Sequence, residues 1–302
     1  MSLLTRRGFT LVELMIAIVL LGIVSTALYK VLLNNQRTFA AQTQRIDLQQ
    51  NIRAAATILP AEFRELDAAD GDIRAMSATS ITIRAMRQMA FMCIAPVLPA
   101  GGAITFEVRQ APFFGNRQNF ASGDSLLIYY EGNPGTRADD RWILASVNAA
   151  PTVQNCPGAA PNAGIRVIAT PTWPVAPLNA LNAITAGAPV RGFSTVTYSL
   201  WQSPSDNQYY LAQTAPDGST QPLVGPLTGA NGLSFLYYDS TGTTITAIPT
   251  VVRMIEIRVR GRTAQVIRQA NDPALAYKTD SVITRVALRN NPRCGGVALP
   301  AC

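Results

Sequence analysis

Gly8-Phe9-Thr10-Leu11-Val12-Glu13, followed by Leu14-Met15-Ile16-Ala17-Ile18-Val19-Leu20-Leu21-Gly22-Ile23-Val24-Ser25-Thr26-Ala27-Leu28-Tyr29, is the stretch on which the reading of this chain turns. As a helix, Phe9 to Tyr29 would be about 31 Å long, close to the roughly 30 Å hydrocarbon core of a bilayer. Arg6 and Arg7 stand just before it, so the positive-inside tendency holds the N-terminus in the cytoplasm and places the remainder across the membrane. One residue breaks the apolar run. Glu13 is a carboxylate within the span, and such a group is costly enough there to imply a function. A cut after Gly8 would make Phe9 the N-terminus. The Phe9 ammonium of a neighbouring copy would then face Glu13, each charge offsetting the other's desolvation. Two other readings compete: a secretory signal ending after Ala27, where Ser25 and Ala27 are small, and a plain single-span anchor. A charge at Glu13 fits the secretory signal poorly.

The sequence Gly8 to Glu13, behind a short basic leader and ahead of an apolar stretch, resembles the processing motif of type IV prepilins and type II secretion pseudopilins. The resemblance runs from Arg6 to about Gln36. It implies that residues 1–8 are a leader removed by a membrane aspartyl peptidase after Gly8. It further implies that Phe9 is the N-methylated new N-terminus and that Glu13 is the residue of assembly. The expected partners are the prepilin peptidase, the inner-membrane assembly platform, other minor and major pilins, and inner-membrane lipid before assembly. The expected location is the inner membrane, with the later domain in the periplasm and finally on an extracellular filament.

Helical periodicity continues past Tyr29. Phe39, Ile46, Ile52, Leu59, Phe63 and Leu66 form an apolar stripe among Gln, Arg and Ala, all good helix formers. The pattern predicts one long helix, residues 9–66 with the membrane part at about 9–29, which Pro60 would kink or divide near its end. From Asp67 onward the character changes to short strand-like runs between Gly, Pro, Asn and Asp clusters. The clearest are Ser80–Arg84, Ile104–Arg109, Ser125–Glu131, Trp142–Val147, Ile165–Ala169, Phe193–Trp201, Tyr209–Gln213, Leu233–Tyr238, Val251–Arg262 and Ser281–Arg289. Ile255, Ile257 and Val259 alternate with Glu256, Arg258 and Arg260, the mark of an antiparallel strand with one wet face. Residues 67–302 are thus expected to be a β-rich domain, with a loop-rich insertion at about 149–189. The fold class is α+β, a long N-terminal helix packed on a large antiparallel sheet, which agrees with the lollipop shape of pilins.

Composition closes off several chemistries. There is no histidine, which excludes Ser-His-Asp and Cys-His catalysis and His-ligated metals. No glycine loop has the spacing to cradle a phosphate. Neither an enzyme nor a cofactor is expected. The net charge is +7, but its arginines are scattered along strand-like runs, so solvated strand faces are expected rather than a nucleic-acid surface. Arg253, Arg258, Arg260 and Arg262 come nearest to a patch. Cys93, Cys156, Cys294 and Cys302 are an even number in a chain read as exported, so up to two disulfides are expected, with Cys93–Cys156 and Cys294–Cys302 the favoured pairing and buried free thiols the alternative. Asp67, Asp70 and Asp72 surround a glycine and are a weak candidate for calcium, with a solvated turn at the helix end as the plainer reading. Each of the pairs Tyr129-Tyr130, Tyr209-Tyr210 and Tyr237-Tyr238 is expected to send one ring inward and one outward.

Within the family, Asp47-Leu-Gln-Gln-Asn-Ile-Arg53, Glu62-Phe-Arg64 and Gly123-Asp-Ser-Leu-Leu-Ile-Tyr129 are similar to the large W-type minor pilins of type IV pili. That resemblance implies a structural protein that primes pilus assembly at the filament tip. The J-type pseudopilin of type II secretion shares the helix pattern and is the alternative. A pilin-like surface adhesin is a second alternative.

Overall fold

Thr10 starts a single long helix, α1 (Leu11–Arg64), through a side-chain cap. The computed structural model describes residues 10–97, 102–115, 117–131, 135, 140–158, 161, 163–172, 184–245, 247–269 and 272–288. Pro60 lies inside α1 and is buried, and the helix continues past it to Arg64. A proline there removes one intrahelical bond, yet it is buried, and Leu59 and Phe63 in the apolar face of the helix are fully buried. That face consists of Leu48, Ile52, Ala55, Leu59 and Phe63, spaced by three or four as one side of a helix requires.

The strands are β1 (Ile73–Met76), β2 (Ser80–Val97), β3 (Ile104–Arg109), β4 (Phe114–Gly115), β5 (Ser125–Tyr130), β6 (Arg141–Val147), β7 (Thr152–Gln154), β8 (Gly164–Thr172) and β9 (Pro189–Gln202). They continue as β10 (Tyr209–Thr214), β11 (Thr220–Leu227), β12 (Leu233–Tyr238), β13 (Thr244–Ile245), β14 (Met254–Arg262), β15 (Ile267–Gln269), β16 (Asp272–Ala276) and β17 (Thr279–Ala287). All but β15 and β16 belong to one sheet, whose pairings are antiparallel. The chain is therefore α+β: a long N-terminal helix packed against a large antiparallel sheet.

Two long strands divide that sheet between two cores. β2 pairs with β9 from Ser80–Ser199 to Phe91–Pro189. On the edge of β9 away from β2, its later half pairs with β10, and the sheet continues through β11 to β14, which β12 and β17 flank. α1 lies on this part. Phe63 meets the rings of Tyr198 and Phe235 edge-on, each at 6.0 Å, with Ile81, Ile83, Leu211, Ile255 and Ile257 closing the first core. Burying a phenylalanine of this kind contributes about 2–3 kcal/mol.

The other core lies within a ring of strands. β2 pairs with β3, β3 with β8, β8 with β6, β6 with β5, β5 with β9, and β9 again with β2. Six antiparallel strands close on themselves, so this half of the sheet is a small barrel without an open edge among the ring strands. Its inward positions alternate along each strand as closure requires: Ile104, Phe106 and Val108; Leu126 and Ile128; Ile143, Ala145 and Val147; Ile165, Val167 and Ala169. Cys93 on β2 and Cys156 after β7 are joined by a disulfide with Cα atoms 5.6 Å apart, which ties β2 to the β7–β8 hairpin. Cys294 and Cys302 lie outside the described residues.

Several expected strands change length. Ser80–Arg84 extends through Val97, a continuation carried by Met86, Met89 and Met92, whose residue type does not advertise a strand. β11 escaped notice because Pro222, Gly225 and Pro226 interrupt it; it pairs with β10 through two irregularities in register. Residues 149–189, read as loop-rich, hold β7 and the nine-residue β8, a member of the ring. The wet face expected on β14 is only partly wet. Arg258 and Arg260 are exposed, but Glu256 is buried beneath Arg258 and Arg285, each 2.6 Å away. Of the tyrosine pairs, only Tyr237-Tyr238 separates inward from half-buried; both members of the other two pairs are half-buried.

Candidate functional site

The N-terminal turn of α1 carries a reciprocal cap. Helix starts leave backbone N–H groups without partners, and here Thr10 and Glu13 satisfy each other's. The Glu13 Oε2 accepts from the Thr10 N–H and from its hydroxyl, both at 3.0 Å, while the Glu13 N–H donates to Thr10 Oγ1 at 3.2 Å. A carboxylate one turn from the helix start also sits favourably in the helix dipole. Both bonds use Oε2; Oε1 has no partner among the described residues. Gly8 and Phe9 lie outside the described residues.

Beyond this cap α1 stands clear of the sheet. Residues 11–43 cover about 50 Å at helical rise. The large apolar side chains from Leu11 to Leu32 are all at least 53% exposed. This part is long and apolar enough to cross a membrane, with a mean hydropathy of 2.5 over its apolar window. Of the stripe anticipated from sequence, Ile52, Leu59, Phe63 and Leu66 are buried against the sheet, whereas Phe39 and Ile46 are exposed. The two halves of the helix thus divide the two uses open to such a stripe.

Polar groups that the apolar pattern does not reveal fix where docking begins. Gln44 Oε1 accepts from the backbone N–H groups of Ala264 and Gln265, at 3.1 and 3.3 Å. Asn51 Nδ2 donates to the Gly225 carbonyl at 2.7 Å. Leu48 and Ile52 pass so close over β14 that a Cβ on Gly261 would lie 2.8 Å from Leu48 Cδ1. A polar side chain beside an apolar stripe was the only available signal for Gln44 and Asn51.

At the other end of the helix, Arg87 pairs with Glu62 at 2.9 Å, beside a cleft of about 220 Å³ lined by Glu65, Arg84 and Arg191. The three aspartates follow. Asp72 is buried; its Oδ2 accepts from the Asp67 N–H at 2.9 Å and faces Arg191 Nη2 at 3.5 Å. Asp67 Oδ1 accepts from the N–H groups of Ala69 and Asp70. Burial, reinforced by the negative charge of Asp70, pushes the Asp67 carboxyl up to about 6. Burial also raises Asp72, against the pull of Arg191. Asp70 Oδ2 and Asp72 Oδ1 are buried without a hydrogen-bond partner among the described residues, and no group of three His, Cys, Asp or Glu side chains among those residues is arranged to hold a metal ion.

What the free half of α1 is for is indicated by its sequence. Residues 4–29 match the prokaryotic N-terminal methylation motif. The match spans Gly8, Phe9, the Thr10–Glu13 cap and the apolar first turns of α1, the part that the domain leaves uncovered. No match is found among curated proteins or among solved structures. The methylation motif supports a type IV pilin-like or pseudopilin-like protein in general, one that meets the pilin processing and assembly machinery.

Proposed function

We propose that this protein is a minor pilin of a type IV pilus, processed after Gly8, N-methylated at Phe9, held by α1 in the inner membrane and then placed at the filament tip to prime assembly. The observation that carries the reading is the methylation motif lying on a helix whose apolar first half is uncovered. Buried against copies of similar helices, that half would remove from water the surface it now exposes. Glu13, with Oε1 free of partners among the described residues, is suited to meet the Phe9 ammonium of a neighbour in the low-dielectric filament core.

Size favours the tip. A shaft subunit repeats at every helical step, so its domain must clear neighbours on all sides. Here the helix-backed sheet carries an additional closed barrel with its own core, bulk that an end position accommodates. The J-type pseudopilin role shares every one of these features except that preference for bulk, and a surface adhesin shares the leader alone.

Quantitative mass spectrometry of sheared, purified filaments tests the proposal. A tip subunit gives a few copies per filament against a large excess of a smaller pilin, and filament number falls when the gene is deleted. Glu13→Val removes the protein from those filaments while processing persists. If this chain is the most abundant subunit, the tip position is wrong; if Glu13→Val is incorporated normally, so is the pairing.

A further inference from the structure

Among the described residues β17 pairs with β14 alone, so its other edge is open. The ladder runs without a register shift from Met254–Ala287 to Arg262–Thr279. Just past its ends, the Leu288 N–H donates to the Arg253 carbonyl at 3.0 Å and the Thr263 N–H to the Lys278 carbonyl at 2.9 Å. In an antiparallel pair, residues whose backbone groups face the partner alternate with residues whose groups face away. Lys278 and Leu288 face β14, so the even-numbered residues between them do as well. Thr279, Ser281, Ile283, Arg285 and Ala287 therefore turn their N–H and C=O groups to the open edge. All five are exposed, Ile283 by 61%. The Ser281 N–H donates to the carboxylate of Asp280 at 2.8 Å, which agrees with that direction. Length and regularity set this edge apart. β1, β4, β7 and β13 have two to four residues, and β11 carries Pro222 and Pro226, devices that discourage a further strand and that β17 lacks.

An open edge takes an extended backbone, and the side chains beside it select which one. Val282 and Val286 belong to the core under α1, so the odd-numbered residues lie on the opposite face of the sheet. On that face Arg258 stands opposite Ile283, Arg260 opposite Ser281, and Glu256 opposite Arg285. Glu256 is buried and shared between Arg258 and Arg285, so three guanidinium groups meet one carboxylate. Asp280 supplies a second carboxylate at the Thr279 end of the edge. The stretch from Ile283 to Ala287 is thus the part that suits acidic side chains on a partner.

A second copy of β17 does not fit this edge. Gly261 lies against Leu48 and Ile52, Ala264 bonds Gln44, and Arg253, just before β14, feels the charge of Asp67. β14 thus runs antiparallel to α1, and β17 runs along it. Two β17 edges paired antiparallel would point their α1 helices in opposite directions, and one membrane cannot hold both with their N-termini on the same side. That exclusion rests on the reading of α1 as a membrane span, whereas the open edge does not.

We infer that the open edge of β17 is a docking site for an extended acidic segment of another protein chain, which joins the sheet as an antiparallel strand. Its backbone meets the free groups of Thr279, Ile283, Arg285 and Ala287. An apolar residue covers Ile283, and a carboxylate lies beside Arg285.

A fluorescein-labelled peptide, Glu-Thr-Glu-Thr-Val-Thr-Thr-Thr-Thr, added to the full chain in detergent micelles and followed by fluorescence anisotropy, tests the site. In antiparallel register it sets Val opposite Ile283 and a Glu opposite each of Arg285 and Ala287. Saturable binding is expected. Ile283→Pro removes an N–H from the open edge and no bond to β14, and should weaken binding about tenfold or more. The same loss is expected when the peptide's Val is N-methylated, a change that leaves the protein untouched. Replacing both Glu by Lys in the peptide should weaken binding about threefold or more. Absence of saturable binding overturns the site, as does equal affinity of the N-methylated peptide, or equal affinity of Ile283→Pro with an unchanged midpoint in denaturant melts. Equal affinity of the Lys peptide overturns the acidic partner. Self-association of the chain without peptide, lost in Ile283→Pro by sedimentation, assigns the edge to a second copy and overturns the proposal. None of these readouts involves cleavage after Gly8 or entry into a filament, so their failure leaves the proposed function standing.

Discussion

Asp67 is a carboxylate that its surroundings push against ionisation, since it lies half-buried with Asp70 beside it. Its carboxyl titrates near 6 in the folded chain against 3.8 in the ordinary state, so between those values the folded protein holds a proton that the unfolded chain has released. Stability from this group is therefore greatest below about pH 4, falls as pH rises towards 6, and stays lower above it. Asp67→Asn keeps an oxygen for the Ala69 and Asp70 N–H groups and removes the charge. With solvent screening allowed for, it should stabilise the protein at neutral pH by about 1 kcal/mol and give no gain near pH 3.5. Denaturant melts of both proteins at the two pH values check this; an equal gain at both would show that charge is not the cause. The partner of Asp72 illustrates what sequence hides at this scale. Arg191 is 119 residues away along the chain, and nothing local to Asp67-Ala-Ala-Asp-Gly-Asp72 announces that a guanidinium rather than water or a cation awaits it. The Thr10–Glu13 cap, by contrast, needs only residues three apart, and its partners are both present in the motif.

Among the elements, those with strong alternation were legible. Ile104–Arg109 and Leu233–Tyr238 have the same limits in the sequence and in the structure, because β-branched and aromatic residues alternate between turn-forming clusters. Helix α1 was legible for the same kind of reason, at a period of 3.6. The methionine-rich second half of β2 and the proline-broken β11 were not, since pairing to neighbours on both sides overrides weak local preference there. Docking of α1 on β14 depends on a residue that carries no pattern at all. Gly261 leaves room for Leu48 and Ile52, and a larger side chain would lift the helix. Gly261→Val should destabilise the domain by about 1–3 kcal/mol while leaving the fold intact, as seen in denaturant melts with unchanged far-ultraviolet circular dichroism. No change in the midpoint would mean that the helix does not rest there.

At the scale of the whole molecule, β2 and β9 make the two cores one cooperative unit. Each strand begins in one core and ends in the other, so neither half can lose its packing without disturbing the ladder they share. That closure was not legible, because a ring of pairings is a property of distant strands and not of any one of them. Replacing both Cys93 and Cys156 by Ser should cost about 2–4 kcal/mol through the freed 63-residue link, and the variant should still unfold in a single transition. Two separated transitions would show that the barrel and the helix-backed sheet are independent.

The proposed function requires that α1 be freed from its leader, held in a membrane and passed to a filament. The most direct test is the mass of the protein's N-terminal peptide, taken from the membrane fraction of the cells that make it. The account predicts a peptide that begins at Phe9 and carries one methyl group on its amino nitrogen. A peptide beginning at Leu28, or an uncut chain that retains residues 1–8, would contradict it.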